Sequence, residues 1–81
     1  MARVSGQADS DGQLLRLGNA VRSRRKALAL SQEALADAAG IDRSHMGKIE
    51  RGERNVTLLN MIRIADALKR KPSEILADAG M

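Results

Sequence analysis

Apolar residues recur along this chain at helical spacing, and no stretch alternates with the two-residue period of a strand. Leu14, Leu17, Val21, Arg25 and Leu28 lie along one side of a first helix, with Arg16, Arg22, Arg24 and Lys26 around its outer face. Leu35, Ala36 and Ala39 form the apolar face of a second helix, from about Gln32 to Ala39. Ile41, Met46 and Ile49 carry that face across a turn and along a third, from Arg43 to Arg51. A fourth helix has the strongest stripe, at Leu58, Met61, Ile64, Ala65 and Leu68, and a short fifth carries Ile75 and Leu76.

The punctuation between these pieces agrees with the pattern. Ser31, Asp42 and Thr57 stand where N-caps belong, each with a side-chain oxygen for the open amides of the helix that follows. Gly40 and Gly52 stand where the second and third helices must stop, and Glu53 to Val56 form a loop. Lys69-Arg70-Lys71 is expected to end the fourth helix, with cations at the negative end of its dipole, and Pro72 suits the first turn of the fifth. Residues 1–10 are small and polar without periodicity and read as a flexible tail, leaving 11–81 as one domain. The expected fold is all-α, a compact five-helix domain.

Two short helices joined through a glycine turn, as in QEALADAAGIDRSHMGKIER, form a helix-turn-helix, a unit whose second helix fits the DNA major groove. Arg43, Ser44, Gly47 and Lys48 fall at i, i+1, i+4 and i+5 and are expected to form one exposed strip. Arg43 can pair bidentately with guanine, Lys48 can reach a guanine or a phosphate, and Ser44 can bond a base edge or a phosphate. Gly47 is expected to let the helix backbone approach the groove. Ser31 and Gln32 mark the start of the second helix, where open amides and the dipole suit a phosphate, and Gln32 can brace a neighbouring side chain. Arg22, Arg24, His45, Arg51, Arg54 and Asn55 are further candidates for backbone contact. Arg25 lies on a mainly apolar face and Glu50 follows the core residue Ile49; a partly buried ion pair between them resolves both oddities.

Composition sharpens the choice of partner. The 81 residues carry a formal charge of +4, and the sequence pI is about 10.4, both of which favour a polyanion. Phe, Tyr and Trp are all absent, which removes the stacking platforms that single-strand binders use and favours duplex DNA. There is no cysteine and a single histidine, so neither a disulfide framework nor a multi-histidine or thiolate metal site is expected, and no cofactor. No catalytic constellation is visible, so an enzyme is not expected. No run approaches the ~18 apolar residues of a membrane span, so a cytoplasmic location is expected.

The segment Leu30 to Leu76 resembles the Xre family, the lambda-repressor-like and Cro-like helix-turn-helix proteins. The resemblance is carried by LSQEALADAAGIDRSHMGKIERGER, the IADAL of the fourth helix and the PSEIL of the fifth. It implies a transcriptional regulator that binds operator DNA as a homodimer. By position in the motif, Gln32, Arg43, Ser44 and Lys48 match the family's readers and braces. His45, Arg51, Arg54 and Asn55 match backbone contacts, and Arg25 and Glu50 match a structural ion pair. Within the family, DRSHMGKIERGERN looks most like the controller proteins of restriction-modification systems. Two departures stand out: Lys69-Arg70 replaces a common glycine-apolar pair, and Val56 replaces a common proline.

Exposed apolar residues beyond the core stripe, Leu59, Ile62, Leu76 and Met81, suggest a two-fold contact between copies. One short recognition helix reads little sequence alone. A dimer would set two of them roughly 34 Å apart on a near-palindromic site. The rival reading is an antitoxin or adaptor, whose helical surface binds a partner protein and for which DNA is secondary.

Overall fold

The computed structural model describes residues 9–81. Among them are five helices and no strand: α1 Gln13–Ala27, α2 Gln32–Ala39, α3 Arg43–Glu50, α4 Leu58–Ala67 and α5 Pro72–Asp78. Most of the expected tail lies outside the described residues. Its Asp9 does not read as tail, since its carboxylate accepts the Leu14 amide at 2.6 Å across the start of α1.

The expected caps are in place, and each sets where a helix begins. Ser31 Oγ accepts from the Ala34 amide at 3.0 Å, Thr57 Oγ1 from the Asn60 amide at 3.1 Å, and Asp42 from the amides of Ser44 and His45. Gly40 takes φ 68°, and behind it the Ile41 amide reaches back to the Ala36 carbonyl at 2.9 Å. That left-handed reversal turns the chain sharply enough for Ile41 to rejoin the core that Leu35 and Ala39 began.

α1 packs on α3 and α5, α2 packs on α3 and α4, and α4 packs on α5. Leu35, Met46, Ile49, Ile64, Leu68, Ile75 and Val21 are the largest fully buried side chains, and they draw on all five helices or their caps. Three apolar members of the expected stripes fall outside this core: Leu14 is half-buried, and Leu28 and Leu58 are exposed. Leu28 is exposed because it caps α1 beyond the last turn that packs, and Leu58 is exposed at the open first position of α4. α4 also ends earlier than its charge pattern suggests. Ala67 is its last residue, so Lys69 to Lys71 lie in the following turn rather than on the helix end.

The approach of α1 to α3 depends on Gly18, which the hydrophobic pattern does not single out. A Cβ there would lie 2.5 Å from the carbonyl oxygens of both Ile49 and Glu50. The two helices therefore touch backbone to backbone at the end of α3. Across the molecule, Arg16 joins the first and last turns, donating through Nη1 to the Asp11 carbonyl at 2.8 Å and through Nε to the Ala79 carbonyl at 3.0 Å.

Candidate nucleic-acid interface

α3 is held from behind. Met46 and Ile49 are fully buried, α1 and α2 pack against it, and its opposite side faces solvent. Arg43 and Ser44 are exposed at its N-terminal end, and His45 is half-buried. Asp42 fixes this end. The Ser44 hydroxyl, together with the His45 amide, holds the Asp42 carboxyl below its ordinary range, which favours the ionised form of the cap.

The strip expected along α3 is corrected at its middle. Gly47 is buried, not bare, because the side chains of Gln32 from α2 and of Arg51 from the C-cap of α3 lie across it. A Cβ on Gly47 would sit 3.1 Å from Arg51 Nη1 and 3.2 Å from Gln32 Oε1. The missing side chain makes room for those two groups rather than for a groove wall, and Lys48, beyond them, is half-buried.

Gln32 links this surface to the ion pair beneath. Arg25 donates from Nε to Glu50 Oε2 at 2.8 Å and from Nη2 to Glu50 Oε1 at 3.0 Å, while its Nη1 meets the Leu30 carbonyl at 2.9 Å. Gln32 Nε2 adds a bond to Glu50 Oε1 at 3.2 Å, so Gln32 braces Glu50 and not Arg43. Glu50 is buried and no buried polar side-chain atom among the described residues lacks a partner. The sequence expectation of a paired Arg25 and Glu50 and the geometry coincide here.

Arg22, Arg25, Gln32, Glu50 and Arg51 line a shallow cleft of about 250 Å³ between α1, the start of α2 and the end of α3. The first-turn amides of α2 point out of its N-terminus beside this cleft, since only Ala34 is taken by the Ser31 hydroxyl. A phosphate placed there would meet a helix N-terminus and the guanidinium groups of Arg22 and Arg51, Arg25 being taken up by Glu50 and the Leu30 carbonyl. Arg54 and Asn55 are exposed in the loop after α3. Arg24, expected with this group, is placed elsewhere: it lies roughly 200° around α1 from Arg22. It binds Asp78 of α5 through both carboxylate oxygens, the longer bond being 3.0 Å. That pair holds the Asp78 carboxyl low and the guanidinium high, and it clips α5 to α1.

Glu53 is the residue that sequence reasoning passed over. Arg51 Nε donates to its Oε2 at 3.0 Å and Arg51 Nη2 to its Oε1 at 3.3 Å. The signal available was the Glu-Arg-Gly-Glu-Arg run, in which a glycine stop folds one charge back on another. Among the expected apolar contact residues, Leu59, Ile62 and Met81 are exposed, whereas Leu76 is half-buried and packs against the core.

Comparison with known proteins agrees with this arrangement. A family model described as "Helix-turn-helix" matches residues 21–75, more than half of the chain. The chain is 43% identical over 65 residues to the control protein C.SmaI of Serratia marcescens, covering 80% of this chain and 77% of that one. It is 38% identical over 65 residues to the control protein C.MunI of a Mycoplasma species, covering 79% and 88%. The crystal structure of the restriction-modification controller protein C.AhdI from Aeromonas hydrophila superposes with a TM-score of 0.75 at 47% identity, over 76% of this chain and 94% of that one. No helix among the described residues is long and apolar enough to cross a membrane. The chain belongs to the Xre-type helix-turn-helix family of DNA-binding transcription regulators, among the restriction-modification controller proteins.

Proposed function

We propose that this protein is a sequence-specific duplex DNA-binding regulator of a restriction-modification system, acting in the cytoplasm as a homodimer on a near-palindromic operator. The observation that carries the reading is the mounting of α3. Its core side is locked against α1 and α2, and Asp42 caps the end at which Arg43 and Ser44 are exposed. A rigid helix with a cation at its N-terminal end matches what direct reading of the major groove needs.

The roles divide by position. Arg43 reads a guanine, Ser44 and Lys48 supplement it, and Ser31, Gln32, Arg22, Arg51, Arg54, Asn55 and His45 position the backbone. With Gly47 covered, one subunit reads few bases. The exposed Leu59, Ile62 and Met81 give a second copy an apolar face to cover.

The test is selection of bound duplexes from a random library, by the protein and by Arg43→Ala. The protein is expected to recover one inverted repeat. Arg43→Ala is expected to lose preference at one symmetric pair of positions, each worth about 1–3 kcal/mol of discrimination. Uniform weakening across all sequences would instead make Arg43 a phosphate contact, and recovery of no preferred duplex would remove the reading itself.

A further inference from the structure

We propose that Glu53 is an intramolecular stand-in for a DNA phosphate: it keeps Arg51 out of loose backbone contact and releases it only when the protein is seated on its site. The inference rests on the duplex-binding reading and extends it to a residue that controls specificity without reading a base.

Three observations converge on it. First, Arg51 and Glu53 flank Gly52, whose φ of 74° reverses the chain so that the two side chains meet. The carboxylate occupies the Nε–Nη2 edge of the guanidinium, the fork that binds a phosphate bidentately. Second, the remaining nitrogen, Nη1, lies over Gly47 beside Gln32, so Arg51 is registered against α3 and against the start of α2. Third, Glu53 stands among the cations of the proposed backbone surface. Arg51 holds its carboxyl below the usual range, and Lys48 and Arg54 add to the effect. Both partners are about half exposed, 57% and 53%, so the pair is open to exchange.

A phosphate and Glu53 compete for one edge of Arg51. The carboxylate is tethered two residues away, which gives it a high effective concentration. Phosphates of a duplex that is only being tracked have no fixed place and do not displace it. When α3 is seated, one phosphate is held at a fixed place beside Arg51 and the exchange becomes local on both sides. Glu53 therefore weakens non-specific binding more than specific binding.

The experiment measures affinity by fluorescence anisotropy for two labelled duplexes, the one recovered by selection and a scrambled one of equal composition, at salt from about 50 to 200 mM. Glu53→Gln is expected to tighten binding to the scrambled duplex roughly two- to fivefold, the range of an exposed ion pair. It is also expected to steepen that duplex's slope of log affinity against log salt by about 0.9, one added phosphate contact. Affinity for the selected duplex changes less, so the specificity ratio falls. Arg51→Gln in the same background restores the shallower slope, and Glu53→Asp, which keeps the charge, stays near the parent. A Glu53→Gln slope equal to the parent's on the scrambled duplex overturns the proposal while leaving the DNA-binding reading standing. A gain that survives Arg51→Gln also overturns it, because repulsion alone would then suffice. If the parent protein prefers no duplex at all, both fall together. Thermal melts matching the parent's confirm that the variants are folded, as expected for two side chains outside the core.

Discussion

Arg25 uses all three guanidinium nitrogens inside the protein, two on Glu50 and one on the Leu30 carbonyl. Removing Glu50 leaves two of those nitrogens, and the Gln32 amide, without their acceptor in a place water reaches poorly. Glu50→Ala is therefore expected to lower unfolding free energy by about 3 kcal/mol in urea titration, with DNA affinity of the folded fraction largely kept. An unchanged urea midpoint with loss of DNA binding would move Glu50 from the scaffold to the interface. This pair was legible in the sequence because each member breaks an apolar pattern, a local oddity that calls for a partner. Gly18 and Gly47 were not legible in that way. What demands a glycine at Gly18 is the backbone of α3, and what covers Gly47 is a side chain from α2 and one from beyond α3. The demand on Gly18 and the Gln32 cover of Gly47 come from residues distant in sequence, of which single-helix periodicity carries no trace, whereas Arg51, at i+4 from Gly47, lay within its reach.

At the level of the helices, starts were easier to read than stops. Ser31, Asp42 and Thr57 announce their helices by a local rule, an oxygen three residues or fewer from the amide it accepts. α4 was harder, because its stop is made by a residue with no sign of it. Lys69 takes φ 60°, and the Lys69 and Arg70 amides close back on the Asp66 and Ala65 carbonyls at 3.0 and 2.9 Å. The reversal that family members often make with glycine persists here on a lysine. A side chain in that region costs roughly 1–2 kcal/mol, and glycine returns about 0.4–1 kcal/mol of that through the freer unfolded chain. Lys69→Gly is thus expected to stabilise the protein by about 0.5–1 kcal/mol, seen as a thermal midpoint a few degrees higher. A lower midpoint would mean that the Lys69 side chain makes a contact worth more than the strain.

For the molecule as a whole, the fold class and the helix-turn-helix followed from the pattern of the chain alone, since five apolar stripes with caps leave few ways to pack. The distribution of surface roles did not. Arg22 and Arg24 look equivalent on paper, yet one faces the cleft beside α2 and the other is clipped to α5. Leu59 and Ile62 remain exposed on α4 with Met81 at the chain end, and the homodimer reading turns on them. Ile62→Glu is expected to shift sedimentation from dimer to monomer and to weaken binding to the selected palindrome while sparing a single half-site. A dimer that persists in Ile62→Glu would place the two-fold contact on another face.

The guanidinium of Arg16 gives the architecture one more property. By bonding both Asp11 and Ala79 it brings the opening and closing turns to the same corner, so fraying of either turn is expected to loosen the other. Loosening the final turn of α5 frees the side chain that steadies the approach to α1, and loosening that approach does the reverse. Amide exchange in the turn around Asp11 and in the last turn of α5 is expected to rise and fall together. The margins of the domain are thus tied to each other through one side chain, beside the Arg24–Asp78 pair that also joins α1 to α5.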